Sequence, residues 1–535
     1  CLFSGRATMV ARPRSPAEAL IPQFYAGRSV FITGGTGFMG KVLIERLLAT
    51  CPYIGRLHLL LRQKKGVTPE KRLQQIKQSQ VFDVLRQTHP SQLNKLCIIP
   101  GDVSQPNLGI AADGLQQLQE VSIVFHSAAT LKFDEPLNTA VEQNVLSVVR
   151  LMELCDQLPN IEALIHMSTA YSNPERKLVE EKVYPAPAPL DKLLHLVEAL
   201  PQPLLAEITP QYIHPKPNTY TFTKAMSEEA VHRHGNKGYP IAIFRPTIVV
   251  SAVKHPFPGW IENLNGPSGV VAAAGKGLLH VFCRRTDARA DLLPVDIAID
   301  TLIAAAWETA LDKPSSVRVY NCSTFENPTT WLEFEGHIRR KLRAHPLDSA
   351  FWYVTGAGVE NRYMQKIMEF FLQTVPLYVA EYAVRALGIN MKLSLITAEQ
   401  KLRAMNQVLA FFALNEWHFT TNNVAKLRAR LSPQDAAIYN LDPKTIDWDE
   451  HYTNFIKGTR KYLLREKDAD IPEAKRHMNR LYYIHHGLLL ISCILFARLL
   501  LSNSFIRDFV HGTVRILWSL LNALCSYVTI PTLVR

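Results

Sequence analysis

The chain has 535 residues, 47% of them hydrophobic and 20% charged, which is ordinary for a globular protein and excludes a disordered or fibrous chain. That length sets a prior of roughly two to four domains. The formal net charge of +12 suits nucleic acid, an anionic membrane or a phosphate-rich ligand, without choosing among them. Eight cysteines without a C-x-x-C pair imply a reduced compartment, and eighteen histidines without H-E-x-x-H imply no metal site. His232 and His234 read as an exposed helix end. Met9 is the expected start, and residues 1–24 read as an N-terminal segment without the apolar core of a secretory signal.

In chain order, "SVFIT" (29–33) reads as a buried strand and "KVLIERLLAT" (41–50) as a helix. Between them Thr33, Gly34, Gly35, Thr36, Gly37, Phe38, Met39 and Gly40 form T-G-x-x-G-x-x-G. Gly34 permits a tight turn, Gly37 lets the backbone approach a pyrophosphate, and Gly40 allows close helix–strand packing. The following helix N-terminus offers free N–H groups to the phosphate. "LHLLL" (57–61) is the second strand, followed by Arg62, Lys64 and Lys65. NAD sites place an acid at that strand end, whereas a cation suits a 2′-phosphate, so the expected cofactor is NADPH.

Further strands are expected at 96–100, 122–127, 163–168, 241–246 and 317–322, with helices between most of them. That alternation predicts an α/β fold with a doubly wound, parallel, Rossmann-type sheet of seven strands. Residues 174–217 are rich in proline and charge and read as an inserted lid or loop. From about 345 the pattern turns helical and reads as a second domain, most apolar over 363–387. Two apolar segments close the chain. Residues 481–502 contain one charge, Arg498, and 516–534 contain none. A membrane span needs about 20 apolar residues, so 481–535 reads as a membrane anchor of one or two helices. The alternative is a pair of helices packed on the protein's own surface. Residues 457–480, which precede the anchor, carry eight Lys or Arg against four acids and predict a cytosolic flank.

"NTYTFTKAMSE" (218–228) puts Tyr220 and Lys224 one helical turn apart. A phenol titrates near 10, and an adjacent ammonium lowers that value, but taken alone the spacing reads as an exposed structural pair.

The glycine spacing with a downstream Tyr-x-x-x-Lys resembles the extended short-chain dehydrogenase/reductase superfamily. The resemblance implies an adenine contact at Asp102 and Val103, and a loop beside the cofactor at Ser127, Ala128 and Ala129. It also implies that Tyr220, beside Lys224, gives a proton to an alkoxide, with a catalytic hydroxyl at Thr169, Ser168 as the alternative, and a structural or catalytic Asn144. The 51-residue separation of Thr169 and Tyr220 is long for the superfamily, and the proline-rich insertion accounts for it. "VFHSAATLKFDEPL", "HMSTAYSN", "PNTYTFTKAMSE", "FRPTIVVSAVKHPFPGWIENLNGPSG", "IDWDEHY" and "GTRKYLLRE" more narrowly resemble alcohol-forming fatty acyl-CoA reductases, of the animal or insect type.

That resemblance spans about residues 25–465. It implies a reductase domain over 25–344, in which Pro246 and Thr247 join the cofactor residues, and a helical domain over 345–465. The implied activity is NADPH-dependent reduction of a long-chain acyl-CoA to a primary alcohol in lipid metabolism, by two hydride steps through an aldehyde. No nucleic acid or metal takes part. The implied setting is a cytosol-facing anchor in the endoplasmic reticulum or peroxisome membrane. The rivals are a membrane-bound hydroxysteroid dehydrogenase and a non-catalytic NADPH-binding scaffold.

Overall fold

The computed structural model describes residues 19–64, 66–388 and 394–502, with 512, 513, 515–520 and 522. Met9, Lys65 and most of the second apolar segment lie outside the described residues. All seven expected strands form: β1 Ser29–Thr33, β2 Leu57–Leu61, β3 Leu96–Pro100, β4 Val121–His126, β5 Ala163–Met167, β6 Ile241–Pro246 and β7 Arg318–Cys322. They build one sheet in the order β3-β2-β1-β4-β5-β6-β7, with every neighbouring pair parallel. The register pairs Thr33 with His126, His126 with His166, and Met167 with Phe244. The C-terminal ends of β1, β4, β5 and β6 therefore lie side by side.

Successive strand residues point to opposite faces. Val30 and Ile32 pack into one core with α1 (Phe38–Thr50), while Phe31 packs into a second core on the other face. Both faces are covered, which is why these strands read as continuous apolar runs. Each fully buried Leu, Ile or Phe contributes about 1.5–3 kcal/mol.

Residues 174–217 are not a loop. They contain α2 (Leu190–Ala199) and α3 (Gln202–Tyr212). Leu190, Leu193 and Leu205 join the second core. The prolines misled because Pro189 and Pro201 are N-caps and Pro203 lies in a first turn, where proline breaks no intrahelical bond, while Pro210 falls within the last turn of α3.

The expected boundary at 344/345 coincides with the end of α5 (Trp331–Ala344), which follows α4 (Val295–Asp312) in this numbering. Beyond it the chain is mainly helical, but the core continues across: Val424, Leu427, Tyr439 and Leu441 share a cluster with the sheet and with Ile299 and Ile303 of α4. Asn321 of β7 donates to the carbonyls of Val179 (3.0 Å) and Thr420 (3.0 Å), clamping three distant parts of the chain. The last long helix runs over Ile471–Ser502, and among the described residues it is the one long and apolar enough to cross a bilayer.

Candidate active site

The first turn after β1 is held by short contacts. Gly34 has φ +75°, and a Cβ there would lie 2.6 Å from the Ala128 nitrogen. A Cβ on Gly40 would lie 2.4 Å from the Gly34 carbonyl oxygen. Both positions therefore require glycine. Thr33 Oγ1 meets His126 Nδ1 at 2.8 Å and accepts from the Ala128 N–H at 3.2 Å, tying the ends of β1 and β4 together.

A cavity of about 470 Å³ opens over these strand ends. Gly34, Thr36, Gly37, Phe38, Met39 and Gly40 form one wall, and Ser127, Ala128 and Ala129 another. Gly37 caps α1, and a Cβ there would meet only the Gly34 oxygen, at 3.3 Å. That open cradle of N–H groups at a helix start fits a dinucleotide pyrophosphate.

The basic end of the cavity is built on β2. Arg62 Nη1 donates to Asp102 Oδ2 at 3.2 Å, and Lys64 lies on the same wall. Sequence reasoning missed Arg72. It sits one turn into the helix Pro69–Lys77, donates to the Arg62 carbonyl at 2.6 Å, and reaches Thr36 Oγ1 at 3.3 Å. Burial and the charge of Arg62 hold its pKa below the ordinary value, so an anion beside the two guanidiniums relieves their repulsion. The only sequence signal was a cation one turn inside a helix that follows the β2 loop. Asp102 also accepts from the N–H and hydroxyl of Ser104.

The candidate pair Tyr220 and Lys224 sits on the helix Thr219–His234, which Asn218 caps by accepting from the Thr221 N–H at 2.9 Å. Tyr220 and Lys224 both line the cavity, with Met167, Ser168, Thr169, Pro246 and Thr247. The Phe133 ring meets the Tyr220 ring edge-on at 5.5 Å. Burial pushes the Tyr220 phenol up to about 12, opposed by a hydrogen bond from Thr169. This differs from the sequence expectation of a lowered phenol pKa. The Lys224 ammonium is spent on the Met167 carbonyl, to which it donates at 2.6 Å, and burial sets the direction for the phenol. Lys224 itself is pushed down to about 8 by burial, opposed by the charge of Glu228.

The two hydroxyl candidates part here. Ser168 Oγ donates to Glu228 Oε1 at 2.5 Å, and Glu228 is paired with Arg245 at 2.6 Å in the interior. Thr169 lines the cavity with Tyr220, its hydroxyl accepting from the Tyr171 N–H at 3.3 Å and holding the Tyr220 phenol down against burial. Under Lys224 lie the stacked rings of His126 and His166, 5.5 Å apart. Burial and then the Lys224 charge push His126 down to about 3 and His166 well below its ordinary value, so both are neutral.

Three expected cofactor residues lie off the cavity wall. Thr33 is consumed by the His126 and Ala128 contacts. Gly35 faces Ile44 and Leu59. Asn144 is buried in a π-turn, accepts from the Thr130 N–H at 2.9 Å and donates to Thr223 Oγ1 at 3.0 Å. It braces the loop after β4 against the Tyr220 helix. Val103 does line the cavity. The far end of the cavity is apolar, formed by Val270, Phe282, Trp331, Leu409 and Phe412. No motif marked these residues, because apolar positions in helices read as core. Leu409 and Phe412 come from the helix Leu395–Leu414, so the helical C-terminal region supplies part of the wall. Among the described residues no cluster of side chains is suited to hold a metal ion.

A family model described as male sterility protein, of the NAD-binding kind, matches residues 32–302, and a second of the same description matches 372–466. Fatty acyl-CoA reductase 1 of Gallus gallus is 38% identical over 486 residues, covering 90% of this chain and 94% of its own. Fatty acyl-CoA reductase 2 of Bos taurus is 36% identical, covering 91% and 94%. This chain belongs to the fatty acyl-CoA reductase family. The terminal reductase domain of the myxalamid biosynthetic pathway has the same fold, with a TM-score of 0.53 at 16% identity over 81% of this chain and 90% of its own. The family's two matched regions bracket the cavity: the first holds Tyr220, Lys224 and the glycine loop, and the second holds Leu409 and Phe412.

Proposed function

We propose that the chain reduces long-chain acyl-CoA thioesters to primary alcohols with release of CoA, using NADPH. One observation carries this reading. Tyr220, Lys224 and Thr169 meet on the wall of a single cavity that has a phosphate-binding, basic end and an apolar end. The apolar end suits an acyl chain, and the basic end suits a 2′-phosphorylated nucleotide.

A bound nicotinamide nucleotide supplies the hydride for each of two reductions. Gly34, Gly37 and the α1 N-terminus would hold its pyrophosphate, and Arg62, Arg72 and Lys64 its 2′-phosphate. Thr169 and Tyr220 donate hydrogen bonds to the substrate carbonyl oxygen and stabilise the charge that develops there. In the first reduction that oxygen regains its double bond as the thiolate of CoA leaves. In the second, the alkoxide takes the proton from the Tyr220 oxygen. With its phenol pushed up to about 12, Tyr220 is protonated at neutral pH, the form a donor requires. Lys224, in the next turn, supplies the nearby positive charge that stabilises the resulting phenolate. The neutral His126 and His166 leave that charge to Lys224 alone.

The long apolar C-terminal helix and the basic 457–480 flank support a chain anchored by its tail, with the catalytic region on the cytosolic side of the endoplasmic reticulum or peroxisome membrane. The test is product analysis of the purified full chain with palmitoyl-CoA or stearoyl-CoA and NADPH. Fatty alcohol with two NADPH consumed per alcohol is expected. Turnover of a hydroxysteroid in its place, or NADPH binding without turnover of any acyl-CoA, would overturn the proposal.

A further inference from the structure

Residues 362–388 are built inside out. They form Arg362–Glu369, a π-turn Phe370–Thr374, and Val375–Ala386. Their buried side chains are mostly polar: Gln365, Glu369, Gln373, Thr374 and Glu381 are buried, with Leu377 as the apolar exception, packed on Leu278 and Leu395. Most of them have partners there, although Gln373 Nε2 is buried without one. Asn406 donates to Glu369 at 3.3 Å, Thr374 donates to Glu399 at 2.7 Å, and Glu381 accepts from the N–H of Leu395 and Ile396. The outward side chains are apolar, including Ile367, Phe370, Phe371, Val379, Tyr382 and Leu387. Phe371 is 64% exposed and Leu387 74%, while Gln373 is 0% exposed. Water favours the opposite arrangement, and an exposed apolar patch of this extent marks an interaction surface.

We infer that this outer face lies in the lipid of the membrane surface, as a ledge beside the C-terminal helix. Two further observations select lipid as the occupant. Every exposed charged side chain between 362 and 388 is positive: Arg362, Lys366 and Arg385. A rim of cations around an apolar face is what anionic headgroups attract. The ledge is also rooted next to the helix that can cross a bilayer. The His280 N–H donates to Gln373 Oε1 at 3.3 Å, and His280 lies on the segment that follows Gly277, against which Trp352 packs. Trp352 Nε1–H donates to His485 Nδ1 at 3.0 Å, and the Tyr353 ring meets Tyr482 at 5.3 Å. The apolar ledge and the start of the apolar helix therefore share one end of the molecule. This inference does not depend on the reaction proposed above.

The test uses the full chain reconstituted in vesicles of phosphatidylcholine and phosphatidylserine, with a photoreactive benzoylphenylalanine in place of Phe371. A control carries it in place of Tyr53, which is 79% exposed and lies on the segment leading into β2, at the opposite end of the strands from the cavity. Both proteins are first shown to have the wild-type circular dichroism spectrum. After irradiation, mass spectrometry should find phospholipid adducts several-fold more abundant at 371 than at 53. Equal yields at the two positions would overturn the inference. So would an adduct at 371 with a second copy of the chain, or with another part of the same chain.

Discussion

Tyr220 and Lys224 carry opposite burdens from the same burial. The phenol is held protonated and the ammonium is weakened toward about 8. Replacing Tyr220 with Phe keeps the ring contact with Phe133 and removes the acid. A loss of at least roughly 100-fold in kcat is expected, the usual scale for a general acid, with NADPH binding by fluorescence titration unchanged. Near-normal alcohol formation would remove Tyr220 from its role. For Lys224, the charged form persists below about pH 8, so kcat/KM should fall as pH rises through that value. The stability effect has the other sign. The unfolded lysine keeps its proton up to its ordinary value near 10.5, so stability rises with pH between about 8 and 10.5. Below that window the charged lysine costs roughly 3 kcal/mol. Lys224→Met should therefore raise Tm at pH 7 while abolishing turnover, and a lowered Tm would contradict the burial argument. At the other end of the cavity, Arg62→Asp should lower the preference for NADPH over NADH. Arg72→Ala should lower it as well, because Arg72 donates to the Arg62 carbonyl and faces the same cavity end. A preference unmoved by either change would put the 2′-phosphate elsewhere.

At the scale of elements, the helix Thr219–His234 is aimed by its first turn. Asn218 is its cap, and Tyr220 follows two residues on. Asn218→Ala should cost about 1 kcal/mol of stability and loosen the turn that carries Tyr220. Asn218→Asp, which can accept the same N–H, should restore both Tm and kcat; restoration of neither would deny the cap its part. These elements were legible in the sequence because each was marked by a local pattern. The strands were apolar runs, the cavity's glycine loop a triplet between strand and helix, and the Tyr220–Lys224 pair a one-turn spacing. What escaped had no local pattern. The helices Leu190–Ala199 and Gln202–Tyr212 hid behind prolines that serve as caps and first-turn residues. Arg72 looked like any surface cation until tertiary structure brought it to Thr36. Ser168 and Thr169 could not be separated by adjacency alone, since the distinction lies in Glu228, sixty residues away along the chain. Leu409 and Phe412 became cavity wall only through the packing of a distant helix.

For the whole molecule, the long C-terminal helix has two parts. Met478 and Leu481 belong to a core cluster, and Tyr482 and His485 pack on Tyr353 and Trp352, whereas Ile491, Leu495 and Phe496 are exposed. A chain ending at Gly487 keeps the first part and loses the second. It should bind NADPH as the full chain does, but should be extracted from membranes by alkaline carbonate, which should leave the full chain in the pellet. A truncated chain that still needs detergent for extraction would place the integral anchor upstream of residue 488.

The shared core has a consequence for how the chain is made. The sheet with its first-face helices is encoded by residues 29–322, but Val424, Leu427, Tyr439 and Leu441, which complete that face, arrive about a hundred residues later. Asn321 likewise waits for Thr420. At translation rates of about 5–20 residues per second, the apolar surface of α4 stays uncovered for roughly 5–20 s in every nascent chain. Synthesis therefore exposes a sticky intermediate that cannot close by itself. Chaperones that hold apolar surface should engage ribosome-bound chains stalled near residue 344 and release those stalled well beyond 446.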